Sequence, residues 1–127
     1  MKTENVVVDK SRDFAIRIIR LYQYLTTKKK EYVLSKQILR SGTSIGANIK
    51  EAIRGQSRDD FAHKLNISLK EASETEYWLD LLVSTDYITQ KEFDSLNQDC
   101  VELIKLLTSI LKSTRKEEHK EQFIIHN

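Results

Sequence analysis

Carboxylates and histidines are the side chains in this sequence from which a catalytic or metal-binding site could be built. A di-iron site in a helical bundle needs a Glu-x-x-His pair from each of two helices and a further Glu from each of the others. The acid three residues before a histidine here is Asp60, before His63, and its spacing from Ser57 suits a helix cap instead. His119 and His126 match no nearby nucleophile, and the sequence has no glycine-rich nucleotide fingerprint. We therefore expect no catalytic residue, no metal and no cofactor, and we interpret the chain as a non-enzyme.

Basic side chains offer a different chemistry, the binding of anions, and they are unevenly distributed. Residues 1–58 hold 13 Lys and Arg against 5 Asp and Glu, a net charge of +8. Residues 59–104 hold 3 basic against 11 acidic residues, a net charge of −8, although the whole chain carries only +2. Such segregation indicates either a polyanionic partner for the basic half or contact between basic and acidic surfaces of identical subunits.

Four amphipathic segments must position these charges. We expect helices at about residues 11–29, 32–54, 57–85 and 89–114, because apolar residues recur there every three or four positions. The short connections predict an all-α fold, an antiparallel up-down-up-down four-helix bundle. Ser57 is the predicted cap of the third helix, and Thr89 with Glu92 forms a capping box for the fourth. Gly55 is expected to end the second helix in the left-handed conformation.

The middle of the second predicted helix contains unusually small side chains. Its apolar face consists of Leu34, Ile38, Gly42, Ile45, Ile49 and Ala52. A glycine inside a helix costs roughly 1 kcal/mol relative to alanine, so Gly42 and Gly46 indicate that another helix passes unusually close. A tight turn makes the second and third helices a hairpin, which places residues 41–46 opposite residues 66–71. We expect the close approach to lie within this hairpin.

A phosphate-binding loop is the competing interpretation of these glycines. That motif needs a strand before it and a Lys directly after its last Gly. Here the helical pattern begins well upstream, and Gly46 is followed by Ala47. Close helix packing is therefore the preferred interpretation.

Residues 37–52 closely resemble the signature of a bacterial four-helix-bundle family whose founding members are encoded in intervening sequences of large-subunit ribosomal RNA genes. The signature and helix-packing positions are Ser41, Gly42, Ser44, Ile45, Gly46, Asn48, Ile49 and Glu51. The resemblance extends from Phe14 to about Leu111. Many members carry Pro where this chain has Gly46, and Gly where it has Ala52.

This family is similar to accessory proteins of diversity-generating retroelements, which form five-membered rings and are described as binding nucleic acid and a reverse transcriptase. The resemblance therefore implies an accessory protein that binds RNA or DNA through phosphate contacts, consistent with the basic half of the chain. The candidate nucleic-acid-binding residues are Arg17, Arg20, Lys28, Lys29, Lys30, Arg54 and Arg58. The three lysines also fit a solvated helix end, so that alternative remains open.

Assembly is expected from the sequence as well. The wide apolar face of the first helix and the segregated charges predict a homo-oligomeric ring, and the resemblance implies a pentamer. The alternative function is a structural or adaptor ring that contacts protein partners without nucleic acid. Its contact surface would be the acidic third helix with Tyr77 and Trp78.

The composition fits one soluble domain of 127 residues without proline, as expected for long helices. The single cysteine, Cys100, excludes an internal disulfide and fits a reducing cytoplasm. No apolar run approaches the ~18 residues of a membrane span, so we expect a cytoplasmic protein. The bundle is expected to occupy residues 1–114, with a frayed segment before residue 10. Residues 115–127 form a charged tail that either extends the fourth helix or is disordered.

Overall fold

The protein consists of four long helices, α1 (Lys2–Thr27), α2 (Leu34–Ile53), α3 (Arg58–Ser84) and α4 (Gln90–His126). The structure, a computed structural model, describes the backbone of residues 2–126 and the side chains of residues 6–117. Helices account for 87% of the chain, far above the third or so of an ordinary globular protein. Each helix packs against its neighbour in sequence, and α1 also packs against α4. These contacts confirm the all-α four-helix bundle.

The core is built from apolar side chains, mostly aliphatic, contributed by all four helices. Its fully buried members include Phe14, Ile18, Leu25, Ile38, Ile45, Ile49, Leu65, Leu79, Leu82, Leu103 and Leu107. Apolar burial contributes roughly 25 cal/mol per Å², so this interior is the main source of stability. The apolar stripes predicted on the helices therefore do face one another.

The two ends of the chain differ from the expected helix limits. α1 begins at Lys2, so the expectation of a frayed segment before residue 10 was wrong. The apolar periodicity before residue 10 is too weak to predict a helix. Tertiary packing stabilises the helix there, because Val7 and Ser11 are both buried. At the other end, α4 continues to His126, so the helical alternative holds for the backbone of the charged tail.

The predicted caps of α3 and α4 are confirmed. Ser57 Oγ accepts a hydrogen bond from the Asp60 backbone N–H at 3.1 Å. The Glu92 N–H donates to Thr89 Oγ1 at 3.1 Å, and the Thr89 N–H donates to Glu92 Oε1 at 2.8 Å. Both pairs satisfy N–H groups that a helix start otherwise leaves without a partner.

The expected left-handed cap at Gly55 was wrong. No glycine of the described backbone has a positive φ. Positive φ angles occur at Lys30 (54°) and Asp86 (66°). α2 instead closes through Arg54, whose φ of −87° stays right-handed, and the Gly55 N–H donates to the Ala52 carbonyl at 3.0 Å. The left-handed residues lie at the opposite end of the bundle, in the α1–α2 and α3–α4 turns.

The close approach at the α2 glycines is to α1 and not to α3 as expected. A Cβ added to Gly42 would lie 2.8 Å from both Cγ1 and Cγ2 of Ile18, and one added to Gly46 would lie 3.2 Å from Ser11 Oγ. α2 and α3 do pack through small residues, because Ser68 Oγ donates to the Ile45 carbonyl at 2.8 Å. Two helices therefore approach α2, and the glycines serve the contact with α1.

The start of α2 is capped by Glu31, which the sequence analysis did not identify. Its carboxylate accepts hydrogen bonds from the backbone N–H groups of Val33, Leu34 and Ser35, at 3.1, 3.0 and 2.7 Å. Glu31 is 8% exposed. Burial alone would raise the pKa of this carboxyl, but the three backbone hydrogen bonds outweigh it and the pKa is lowered.

We expect Gly42→Ala to destabilise the bundle, although alanine is the better helix former by about 1 kcal/mol. The β-branched and fully buried Ile18 cannot move aside, and overpacking typically costs about 1 to 3 kcal/mol. Urea denaturation should show a net loss of up to about 2 kcal/mol in the free energy of unfolding. Gly46→Ala, with its longer contact distance, should lose less. In an Ile18→Ala background, Gly42→Ala should become stabilising; a loss there would contradict the contact.

We expect Glu31→Ala to lower the free energy of unfolding by about 0.5 to 2 kcal/mol at neutral pH, because the α2 N–H groups lose their cap. The folded-state pKa lies below the ordinary value of 4.5. The stabilisation by the carboxylate is therefore complete above pH 4.5 and disappears as the pH falls through the folded-state pKa. The difference between wild type and Glu31→Gln should shrink over that acidic range. Glu92→Gln, in an exposed capping box, is the matched comparison and should show a smaller effect; an equal effect would argue against the buried cap.

Candidate nucleic-acid interface

Ion pairs join α1 to α4 along one side of the bundle. Arg17 donates to the Asp99 carboxylate at 2.7 Å, to Ser95 Oγ at 2.9 Å and to the Ser95 carbonyl at 3.3 Å. Lys10 pairs with Glu102 at 2.6 Å. The basic and acidic segments therefore meet partly within one subunit. Arg17, whose side chain is 39% exposed, is held in place by α4.

A groove runs between α1 and α4 beside these pairs. It is open to solvent and has a volume of about 500 Å³. Its lining residues are Arg17, Arg20, Leu21, Tyr24, Lys91, Glu92, Ser95 and Leu96. Arg17, Arg20 and Tyr24 follow the three- and four-residue spacing of one helix face. Lys91 is exposed on the first turn of α4, so cations from two helices border the same groove.

Lys28, Lys29 and Lys30, the lysine run, continue the positive surface of the groove into the α1–α2 turn. The N–H groups of Lys28 and Lys29 donate to the Tyr24 carbonyl at 2.9 and 3.4 Å, so the backbone of these two lysines continues from the last turn of α1. Lys29 Nζ lies 5.9 Å from the centroid of the Tyr24 ring, within the range of a cation–π contact. Lys30 and the neighbouring Tyr32 are exposed. Cationic and aromatic groups are therefore interleaved at this end of the bundle.

Arg54 and Arg58 do not belong to this surface. They flank the α2–α3 turn, and the 20 residues of α2 place that turn about 30 Å from the α1–α2 turn. Arg58 lines a separate cavity of about 380 Å³ with Ser57, Phe61 and Ser109. The seven candidate residues are thus divided between the two ends of the bundle.

Comparisons with known proteins agree with this architecture. The model of the 23S rRNA-intervening sequence protein family matches residues 3–109. The chain belongs to this family. Its fold also matches the crystal structure, at 1.70 Å, of a protein of unknown function from the S23 ribosomal protein family of Bacteroides thetaiotaomicron VPI-5482. The two sequences are 62% identical, the match covers 87% of this chain and 98% of the other, and the TM-score is 0.86. No curated protein matches the sequence.

The residues of the family signature are used mainly for helix packing in this chain. The hydroxyls of Ser41 and Thr75 lie 2.8 Å apart in the core, between α2 and α3. Ser44 and Asn48 hydrogen-bond to carbonyls of their own helix, the former to Arg40 at 2.6 Å and the latter to Ser44 at 2.8 Å. Glu51 forms an ion pair with Lys64 of α3 at 2.8 Å. None of the signature residues lines the α1–α4 groove.

Cys100 has the environment of a structural thiol. It is fully buried, and its Sγ donates to the Ala72 carbonyl at 3.2 Å. Burial, with smaller contributions from Glu76 and Asp99, raises its pKa to about 12.

Within the described side chains, no group of three or more His, Cys, Asp or Glu residues could hold a metal ion. Neither the family nor the crystallographic relative points to catalysis. Over the same part of the chain, no helix is long and apolar enough to cross a membrane.

Sequence reasoning missed Tyr24 and Lys91 in the groove. Tyr24 had a usable signal, since it follows Arg20 by four residues on the helix face. Lys91 had none, because only the packing of α4 against α1 brings it near Arg20. Sequence reasoning assigned Arg17 to phosphate contact. The same packing of α4 against α1 instead engages Arg17 in an ion pair with Asp99.

Proposed function

We propose that this member of the 23S rRNA-intervening sequence protein family is a non-enzymatic nucleic-acid-binding accessory factor. The observation that supports the proposal most directly is the α1–α4 groove, where Arg17, Arg20 and Lys91 meet beside an exposed tyrosine. Lys28, Lys29 and Lys30 extend the positive surface into the adjoining turn. Clustered cations of this kind bind phosphates and release counterions, which makes the affinity depend on salt.

The cations of the groove have different roles in this proposal. Arg17 uses three of the five N–H donors of its guanidinium on Ser95 and Asp99, so it fixes the groove wall and contributes only part of its charge. Arg20 and Lys91 are exposed on the two sides of the groove and are the principal phosphate ligands. Substituting Arg17 would disturb the α1–α4 contact as well as binding, so it is a poor probe of function.

We expect Arg20→Glu with Lys91→Glu to weaken binding of labelled RNA and DNA by about tenfold or more at low ionic strength, because two phosphate contacts are lost and two repulsions added. The slope of log affinity against log salt should become shallower by roughly 1 to 2. Fluorescence anisotropy over a salt series measures both quantities.

The matched control is Lys50→Glu with Lys112→Glu, which changes the net charge by the same amount at exposed sites outside the groove. It should lose much less affinity than the groove variant. Equal losses would mean that binding follows overall charge and not the groove. Absence of wild-type binding at low ionic strength would reject the proposed function and favour the adaptor alternative.

We further propose that the protein acts as a homo-oligomeric ring, with the resemblance to ring-forming relatives favouring a pentamer. Support comes from exposed apolar side chains on α1 and α2, among them Ile19 and Ile53. The charge argument is weaker than it was from sequence, because Lys10 and Arg17 already pair with acids of α4 in the same chain. The assembly proposal therefore rests mainly on contact between these exposed apolar side chains of neighbouring subunits.

Light scattering at moderate salt tests this assembly. A pentamer would give a mass of about 75 kDa, five times the subunit mass of 14.9 kDa. Ile19→Glu with Ile53→Glu should lower the mass while the helical circular dichroism is retained, because both side chains are exposed within a single chain. A wild-type mass equal to that of one subunit would contradict the ring.

A further inference from the structure

The α1–α4 groove contains apolar surface that phosphate binding does not require. Leu21 and Leu96 line it together with the cations, and although both are largely buried, their remaining surface borders the groove. The backbone of a duplex presents phosphates and sugars to a protein. An unpaired base, in contrast, presents an apolar face that stacks on apolar and aromatic side chains. The lining of the groove therefore suits a base as well as a phosphate.

Tyr24 provides the ring on which a base could stack. It is 37% exposed and lines the groove between Arg20 and the lysine run. Lys29 Nζ lies over the ring, 5.9 Å from its centroid. The part of the ring that lines the groove is the surface available to a base, and Lys29 places a cation next to it.

We infer that the groove selects single-stranded over double-stranded nucleic acid, with one unpaired base stacked on Tyr24 above Leu21 and Leu96. Arg20 and Lys91 bind the phosphates on either side of that base. The ring of a paired base is covered by its neighbours in the stack, so a duplex can use the cations but not Tyr24. This inference rests on the proposed function and adds the class of nucleic acid and the group that recognises it.

Three labelled DNA probes test the inference by fluorescence anisotropy at one salt concentration. They are a single strand of about 12 nucleotides, the same strand paired with its complement, and the same strand with abasic central positions; the length follows typical single-strand sites of ~4–16 nucleotides. The single strand should bind most tightly. The abasic strand retains every phosphate, so any weaker binding than that of the intact strand would report the loss of stacking alone. This comparison needs no variant of the protein.

Tyr24→Leu should weaken binding of the intact single strand by about 5- to 150-fold, the usual range for loss of one base–aromatic stack. Binding of the duplex and of the abasic strand should remain unchanged, and Tyr24→Phe should restore the wild-type affinity. Tyr77→Leu is the matched control, because Tyr77 is 56% exposed on the acidic α3 and lies outside the groove. Circular dichroism of each variant confirms that the fold is retained.

The outcomes separate the two proposals. Equal affinity for the single strand and the duplex, or equal losses for all three probes in Tyr24→Leu, would overturn the single-strand inference and leave nucleic-acid binding intact. Wild-type protein that binds none of the probes at low ionic strength would remove both.

Discussion

The distance between α1 and α2 is the constraint on which the rest of this bundle depends. Gly42 has no side chain at the level of Ile18, and an added Cβ would lie 2.8 Å from two carbons of that isoleucine. Because Ile18 is fully buried and its β-branched side chain has one strongly preferred rotamer in a helix, it cannot easily yield to that atom. The glycines thus set how closely α1 approaches α2, while Ser68 and Ala72 let α3 approach from the other side. The position of α1 then determines where α4 can pack and where a groove opens between them.

Within this helix packing, the charged side chains orient one another and the neighbouring helices more than they stabilise the fold. Partly exposed pairs such as Arg17–Asp99 and Lys10–Glu102 are weak sources of stability, because solvent screens their attraction and ordering the side chains costs entropy. Their larger effect is orientation, since Arg17 contacts Ser95 as well as Asp99 and is held against α4. The segregation along the sequence is therefore partly compensated within one chain. The bundle brings α1 beside the acidic first half of α4, and cations remain where the groove meets the α1–α2 turn.

The two ends of the bundle differ in chemistry for reasons that lie in their turns. At the groove end, left-handed Lys30 and the buried Glu31 cap reverse the chain within a few residues, which keeps the lysine run against the end of α1. At the other end, Arg54 and Arg58 flank the tight α2–α3 turn, and the length of α2 separates them from that surface. An exposed aromatic ring accompanies the cations at the groove end, in Tyr24. This combination is what distinguishes the proposed nucleic-acid surface from an ordinary charged helix end.

The sequence by itself determined the fold class, because apolar residues at helical spacing, the Ser57 and Thr89 caps and the absence of proline are local signals. It also indicated an unusually close helix contact at Gly42 and Gly46, since a helix tolerates such glycines only for a packing reason. Only the tertiary structure decided that this contact is with α1, because helix periodicity does not reveal which neighbour a face meets. The start of α1 at Lys2 depends likewise on the burial of Val7 and Ser11 by other helices. The same holds for the groove: Lys91 and Arg20 are far apart in sequence, and it is the packing of α4 on α1 that places them together and joins Arg17 to Asp99.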